Sequence, residues 1–213
     1  MIIDKTCMTL YLVTDRQWLK SGHSLATAVE TALQHGVTCV QLREKDTPYR
    51  EFLQLAQELK PVCEKYGVPF IINDNVEIAL AVDADGVHIG QSDMAIAQAR
   101  QLLGKDKIIG ISAHNVTEAL KAVADGVDYI GCGAVFGSAT KTDASFLGVD
   151  GLADICRRVS IPVVAIGGIS RENTPQLAGT GVDGIAVVSA VLAQDDISAA
   201  TENMLALVKK IKE

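Results

Sequence analysis

Three groups of residues in this sequence have the types and spacing to handle phosphorylated ligands. Arg43 and Lys45, within Gln41-Leu42-Arg43-Glu44-Lys45, and Lys141, closing Ser138-Ala139-Thr140-Lys141, are cations that together can neutralise a pyrophosphate. For any one of them the alternative is ordinary solvated charge. Asp74 follows Asn73, and Asp93 ends Gly90-Gln91-Ser92-Asp93. Two hard carboxylates beside a pyrophosphate suit Mg²⁺, which binds through one or two carboxylates plus phosphate oxygens. The alternative makes both helix caps, Asp74 for a segment beginning at Asn75 and Asp93 for one beginning at Met94. Gly167-Gly168 and Val188-Ser189 bring small residues where backbone N–H groups can approach a phosphate closely.

These groups need a scaffold that brings distant stretches of chain to one place. Short apolar runs recur at 10–15, 39–44, 70–74, 86–90, 108–112, 129–135, 163–168 and 184–189. Segments of helical spacing lie between them, among them 24–35, 49–66, 95–103, 116–124 and 151–159. Such alternation implies parallel strands. The dipeptide Gly-Val recurs, at 36, 67, 86, 126 and 181 among its places. All but the third fall between a helix and the next strand, where a left-handed glycine turns the chain. An open doubly wound sheet should carry a GxGxxG turn after its first strand, and Val13-Thr14-Asp15-Arg16-Gln17 is not one. The reading is an α/β (β/α)₈ barrel, one domain over residues 1–213, in which each group above sits at the C-terminal end of a strand, the end where barrels keep their chemistry.

Composition narrows the partners. A formal net charge of −7 argues against a nucleic-acid surface, which needs a basic stripe, and makes any local cluster of cations informative. No apolar run approaches the roughly 20 residues of a membrane span. Met1-Ile2-Ile3-Asp4-Lys5 lacks a basic segment followed by a long apolar stretch, so a cytoplasmic location is expected. The five cysteines have no CxxC spacing and read as reduced core thiols. Small-molecule substrates are the expected partners. Barrel enzymes often self-associate, so a homo-oligomer is an open expectation.

Taken together, QLREK at 41–45, Asn73-Asp74, GQSD at 90–93, GIS at 110–112, Ser-Ala-Thr-Lys at 138–141, GGI at 167–169 and VVS at 187–189 resemble the thiamin phosphate synthase family at seven strand ends. The resemblance implies a transferase that joins 4-amino-2-methyl-5-hydroxymethylpyrimidine pyrophosphate to thiazole phosphate. It places Gln41, Leu42, Arg43, Glu44, Lys45, Asn73, Ser112 and Lys141 on the pyrimidine pyrophosphate and Asp74 and Asp93 on Mg²⁺. Ser138, Ala139, Thr140, Gly168, Val188 and Ser189 fall on the thiazole phosphate. It implies a dissociative substitution, with Arg43, Lys45, Ser112 and Lys141 as the catalytic set. Ser138 departs from the family's usual Thr-x-Thr-Lys but keeps a hydroxyl. His88 and His114 read as structural or peripheral, because no step demands an imidazolium. Loop 136–147 is expected to close over the substrates. Two alternatives stand beside this one: a thiazole tautomerase-like barrel, which would make His114 a candidate acid or base, and a non-catalytic ligand-binding paralogue.

Overall fold

The computed structural model describes residues 4–19, 24–137 and 147–213. Eight parallel strands, β1 (Leu10–Val13), β2 (Cys39–Leu42), β3 (Phe70–Asn73), β4 (Gly86–Ile89), β5 (Ile108–Ala113), β6 (Tyr129–Cys132), β7 (Val163–Ala165) and β8 (Gly184–Val187), close in sequence order into a barrel. Closure is made by β8 pairing with β1, Tyr11 against Ala186. Helices α1 (Leu25–Gln34), α2 (Tyr49–Tyr66), α3 (Val76–Ala81), α4 (Ile96–Leu103), α5 (Val116–Ala124) and α6 (Gly148–Arg158) follow the first six strands. After β7 there is only a 3-10 turn, Thr174–Leu177, with Pro175 in its first turn. Two helices, α7 (Ser189–Leu192) and α8 (Ile197–Ile211), follow β8. Among the described residues no helix is long and apolar enough to cross a membrane.

Local sequence explains the outer ring. In α1 the buried residues Leu25, Ala28, Val29, Ala32 and Leu33 make one helical stripe, and the Ser24 side chain accepts the Thr27 N–H at the start. The glycines of four Gly-Val pairs, Gly36, Gly67, Gly126 and Gly181, have φ of 107°, 63°, 82° and 81°. They supply the left-handed turns expected of them. Gly86 is different: it lies in β4, where a side chain would strike the Ile108 backbone.

Strand alternation divides the core in two. Leu10, Leu12, Val40, Leu42, Ile72 and Ile89 face the helices, whereas Tyr11, Val13, Cys39, Ile71, Ile108, Tyr129, Val164 and Ala186 fill the barrel. The strands end one to three residues earlier than the apolar runs suggest for all but β5, because the last residues of each run have left the ladder for the loops.

The N-terminal rim of the barrel repeats one fastening. The residue just before each even-numbered strand exchanges two hydrogen bonds with a residue at the start of the preceding strand. Thr38 Oγ1 accepts the Leu10 N–H at 2.9 Å while its own N–H donates to the Leu10 carbonyl at 2.8 Å. Asp85 does the same for Phe70, Asp128 for Ile109 and Asp183 for Val163, with side-chain bonds of 2.9, 2.8 and 2.9 Å. Each aspartate also meets a cation: Lys60 at 3.4 Å, Arg100 at 2.6 Å and Lys5 at 2.9 Å, respectively. A carboxylate at the opposite end from the strand C-termini therefore reads as stability.

Candidate active site

The C-terminal ends of the strands open onto one cavity of about 490 Å³. Gln41, Arg43, Asn73 and Ser112, from β2, β3 and β5 and their loops, line one side of it. Gly168, Val188 and Ser189, after β7 and β8, line the other. Two walls suited to anions thus face a single space.

Alternation along β2 decides which members of the 41–45 run reach it. Gln41 and Arg43 point inward; Leu42 is fully buried against the helices, and Glu44 turns to Arg16, 2.6 Å away, and accepts from Thr47 at 3.0 Å. The side chains of Leu42 and Glu44 are therefore not brought to the cavity, and either could touch a ligand there only through its backbone. Lys45 borders a shallower pocket with Arg16 and Thr47 beside the main one. The Arg43 N–H donates to Thr14 Oγ1 at 3.0 Å, and its guanidinium lies 3.6 Å from Asp15. Any anion that reaches this guanidinium competes with that carboxylate.

Asp74 and Asp93 are exposed on neighbouring loops, and neither caps a helix. Asn75 caps α3, accepting the Ile78 N–H at 2.9 Å, and α4 begins at Ile96 with no side-chain cap. The capping alternative is overturned, because the helices begin further along than it required. Asp74 is held at φ 62°, accepts from Asn73 at 2.6 Å, and its N–H joins the end of β3 to the His88 carbonyl at 2.8 Å. The Asp93 carboxylate accepts the Gly90 N–H at 2.6 Å. Among the described residues no three His, Cys, Asp or Glu side chains form a metal cluster. Two exposed hard carboxylates fit a cation whose remaining ligands are phosphate oxygens and water, which is the habit of Mg²⁺.

On the opposite wall Gly168 sits at φ 66°, and a Cβ there would strike the Gly137 carbonyl. Asn173 staples this loop, donating to the Gly168 carbonyl and accepting the Ser170 N–H, both at 2.8 Å. Ser189 opens the four-residue α7, whose first N–H groups have no acceptor within the helix. Ser138, Ala139, Thr140 and Lys141, and with them most of the expected closing loop, lie outside the described residues.

Two histidines line the cavity. His114 has its Nδ1 3.0 Å from Glu118, whose carboxylate also accepts the His114 N–H at 2.8 Å. Burial works to raise the Glu118 pKa, but these hydrogen bonds outweigh it and hold the carboxyl below its ordinary value. His88, read above as structural or peripheral, is 9% exposed in the barrel interior between Tyr129 and Ser112. Among the described residues no cysteine lines the cavity. Burial pushes the Cys63 thiol up to about 12 and the Cys156 thiol up to about 11, so both stay protonated and unreactive near neutrality.

The family model for thiamine monophosphate synthase matches residues 10–191. This chain belongs to that family. The thiamine-phosphate synthase of Ruminiclostridium cellulolyticum is 54% identical over 197 residues, covering 92% of this chain and 93% of that protein. That of Clostridium novyi is 52% identical over 196 residues, covering 92% and 96%. The solved thiamine phosphate pyrophosphorylase from Pyrococcus furiosus superposes with a TM-score of 0.89 at 40% identity, over 97% of this chain and 98% of that one. For a thiamine monophosphate synthase fold the missing signal in the sequence was strand parity. Tyr11 and Tyr129 face the same cavity from below the strand ends, at positions that only inward alternation along β1 and β6 reveals.

Proposed function

We propose that this thiamine monophosphate synthase family member joins 4-amino-2-methyl-5-hydroxymethylpyrimidine pyrophosphate to thiazole phosphate. The products are thiamin phosphate and pyrophosphate, and the chain acts as a cytoplasmic, Mg²⁺-dependent transferase through one barrel of 213 residues. The observation that carries this reading is the single cavity with an Arg43 wall and a Gly168–Ser189 wall, one for each phosphorylated substrate.

The pyrimidine pyrophosphate takes the first wall, with Gln41, Asn73 and Ser112 orienting it and Arg43, Lys45 and Lys141 giving positive charge to the leaving group. The thiazole phosphate takes Gly168, Val188 and Ser189 together with Ser138, Ala139 and Thr140. The carbon–oxygen bond to pyrophosphate breaks with its electron pair leaving on oxygen, and the aminopyrimidine stabilises the methylene cation. The thiazole nitrogen lone pair then forms the new carbon–nitrogen bond. Mg²⁺, held by Asp74 and Asp93, would neutralise charge on the departing pyrophosphate. The residues of the mouth do the rest by placing the two rings and by favouring charge where it accumulates. No nucleophilic side chain is required.

The test is incubation with both substrates. Pyrophosphate release that needs Mg²⁺ and stops with a chelator is expected, and Asp93→Ala should lower it at least about a hundredfold with the fold intact. Full activity in that variant removes the metal assignment. Turnover of a thiazole substrate alone, without pyrophosphate release, would place the chain with the tautomerases instead.

A further inference from the structure

We infer that Tyr11, Tyr129 and His88 are positioning residues, a hydrogen-bond chain through the barrel interior that holds Gln41 at one end and sets the direction of the Ser112 hydroxyl at the other. The inference rests on the reading of the mouth given above. Gln41 Nε2 donates to Tyr11 Oη at 2.9 Å, and Tyr11 Oη lies 2.8 Å from Tyr129 Oη. Tyr129 Oη is 2.9 Å from His88 Nδ1, and His88 Nε2 is 3.0 Å from Ser112 Oγ. The chain runs across β2, β1, β6, β4 and β5.

Donor and acceptor chemistry gives it one direction. The Gln41 amide nitrogen only donates, so the Tyr11 oxygen accepts. Tyr11 has a single proton, and the Tyr129 oxygen is a far better acceptor for it than the neighbouring Cys39 sulfur. Tyr129 then has its own proton to give to His88 Nδ1, and a ring that accepts there carries its proton on Nε2 and donates to Ser112 Oγ. Ser112 thus accepts from below and keeps its own hydrogen for a ligand acceptor in the mouth. Burial pushes both phenols well above their ordinary range, so neither loses the proton the chain needs.

The fold gives up side chains to seat these rings. A Cβ at Gly110 would run into the Tyr129 ring, and one at Gly131 would stand 3.0 Å from His88 Cε1. Barrel interiors are ordinarily filled by branched apolar residues, and buried polar groups are destabilising unless each is bonded. Here every link is made, and the chain ends on two residues that line the cavity.

Tyr129→Phe keeps the ring and removes two links. Nitrogen-15 NMR of the ligand-free protein should show the His88 proton on Nε2 in the wild type and a mixture of tautomers in the variant. The variant leaves Tyr11 and His88 each short of a buried partner and should melt a few degrees lower, while kcat for pyrophosphate release per folded molecule falls by about tenfold. In a Ser112→Ala background the same change should alter kcat by less than about threefold, because the group it positions is gone. Tyr11→Phe, which removes one of the two phenols beside Gln41 but leaves the His88 link, should keep the wild-type tautomer, and it carries the test if Tyr129→Phe does not fold. A wild-type His88 protonated on Nδ1, unchanged kcat and KM in Tyr129→Phe, a full tenfold loss in the Ser112→Ala background, or a tautomer change in Tyr11→Phe overturns the positioning role. A wild type that releases no pyrophosphate overturns the assigned reaction, and this role with it, while the tautomer result still reports on the chain itself.

Discussion

Gly168 carries no side chain for two separate reasons: its φ of 66° is left-handed, and the Gly137 carbonyl occupies the space a Cβ would need. Gly168→Ala should therefore strain the backbone by about 1–2 kcal/mol and push the loop off its place. The expected result is a KM for thiazole phosphate raised at least about tenfold, with the KM for the pyrimidine substrate little changed. Equal KM values for both substrates in the variant and the wild type would detach this glycine from the second wall. At this scale the sequence was partly legible. Small residues at 167–168 and the charged run at 41–45 are visible in one dimension, but which members of the run face the cavity is set by alternation along β2, which sends Leu42 and Glu44 the other way. Tyr129 was hidden differently. It lies at the start of its strand beside apolar residues, and the cue was a polar aromatic at an inward position opposite Gly110, a pairing set by the register of β5 against β6.

Among the elements, the fastenings at the N-terminal rim are the most exposed to test. Asp128 takes the Ile109 N–H, returns its own N–H, and pairs with Arg100 of α4 at 2.6 Å. Asp128→Ala leaves the Ile109 N–H without its acceptor and Arg100 without its carboxylate, which should destabilise the chain by about 2 kcal/mol in urea unfolding. Activity per folded molecule should not change, because the catalytic face is at the other end of β6. Loss of kcat without loss of stability would contradict that division. The eight strands were readable as short apolar runs because both of their faces are buried, and the first helices from hydrophobic period because each has one buried face. The helix expected after β7 by regular alternation was not there to read: Pro175 starts a 3-10 turn, and Gly179 and Gly181, both at positive φ, bring the chain straight back into β8. The rim aspartates also left a trace, an Asp directly before each of three even-numbered strands, whose meaning depends on a neighbour 15 to 20 residues away.

Over the whole molecule, each fastening joins an odd strand to the even strand that follows it, so β1–β2, β3–β4, β5–β6 and β7–β8 are four locally closed pairs. Lys212 reaches Thr9 at 3.2 Å, so the two ends of the described chain lie together and can be joined by a short linker. The barrel is then a ring that can be reopened elsewhere, and the pairing says where. A circular permutant opened between Gly67 and Val68 leaves all four pairs on continuous chain, whereas one opened between Val82 and Asp83 splits Asp85 from Phe70. The second should melt at least about 3 °C below the first. Equal melting temperatures would mean that the barrel does not distinguish its seams. A ring with preferred seams is a ring assembled from quarters, and domain insertions or split halves of this enzyme should be tolerated at those same joints.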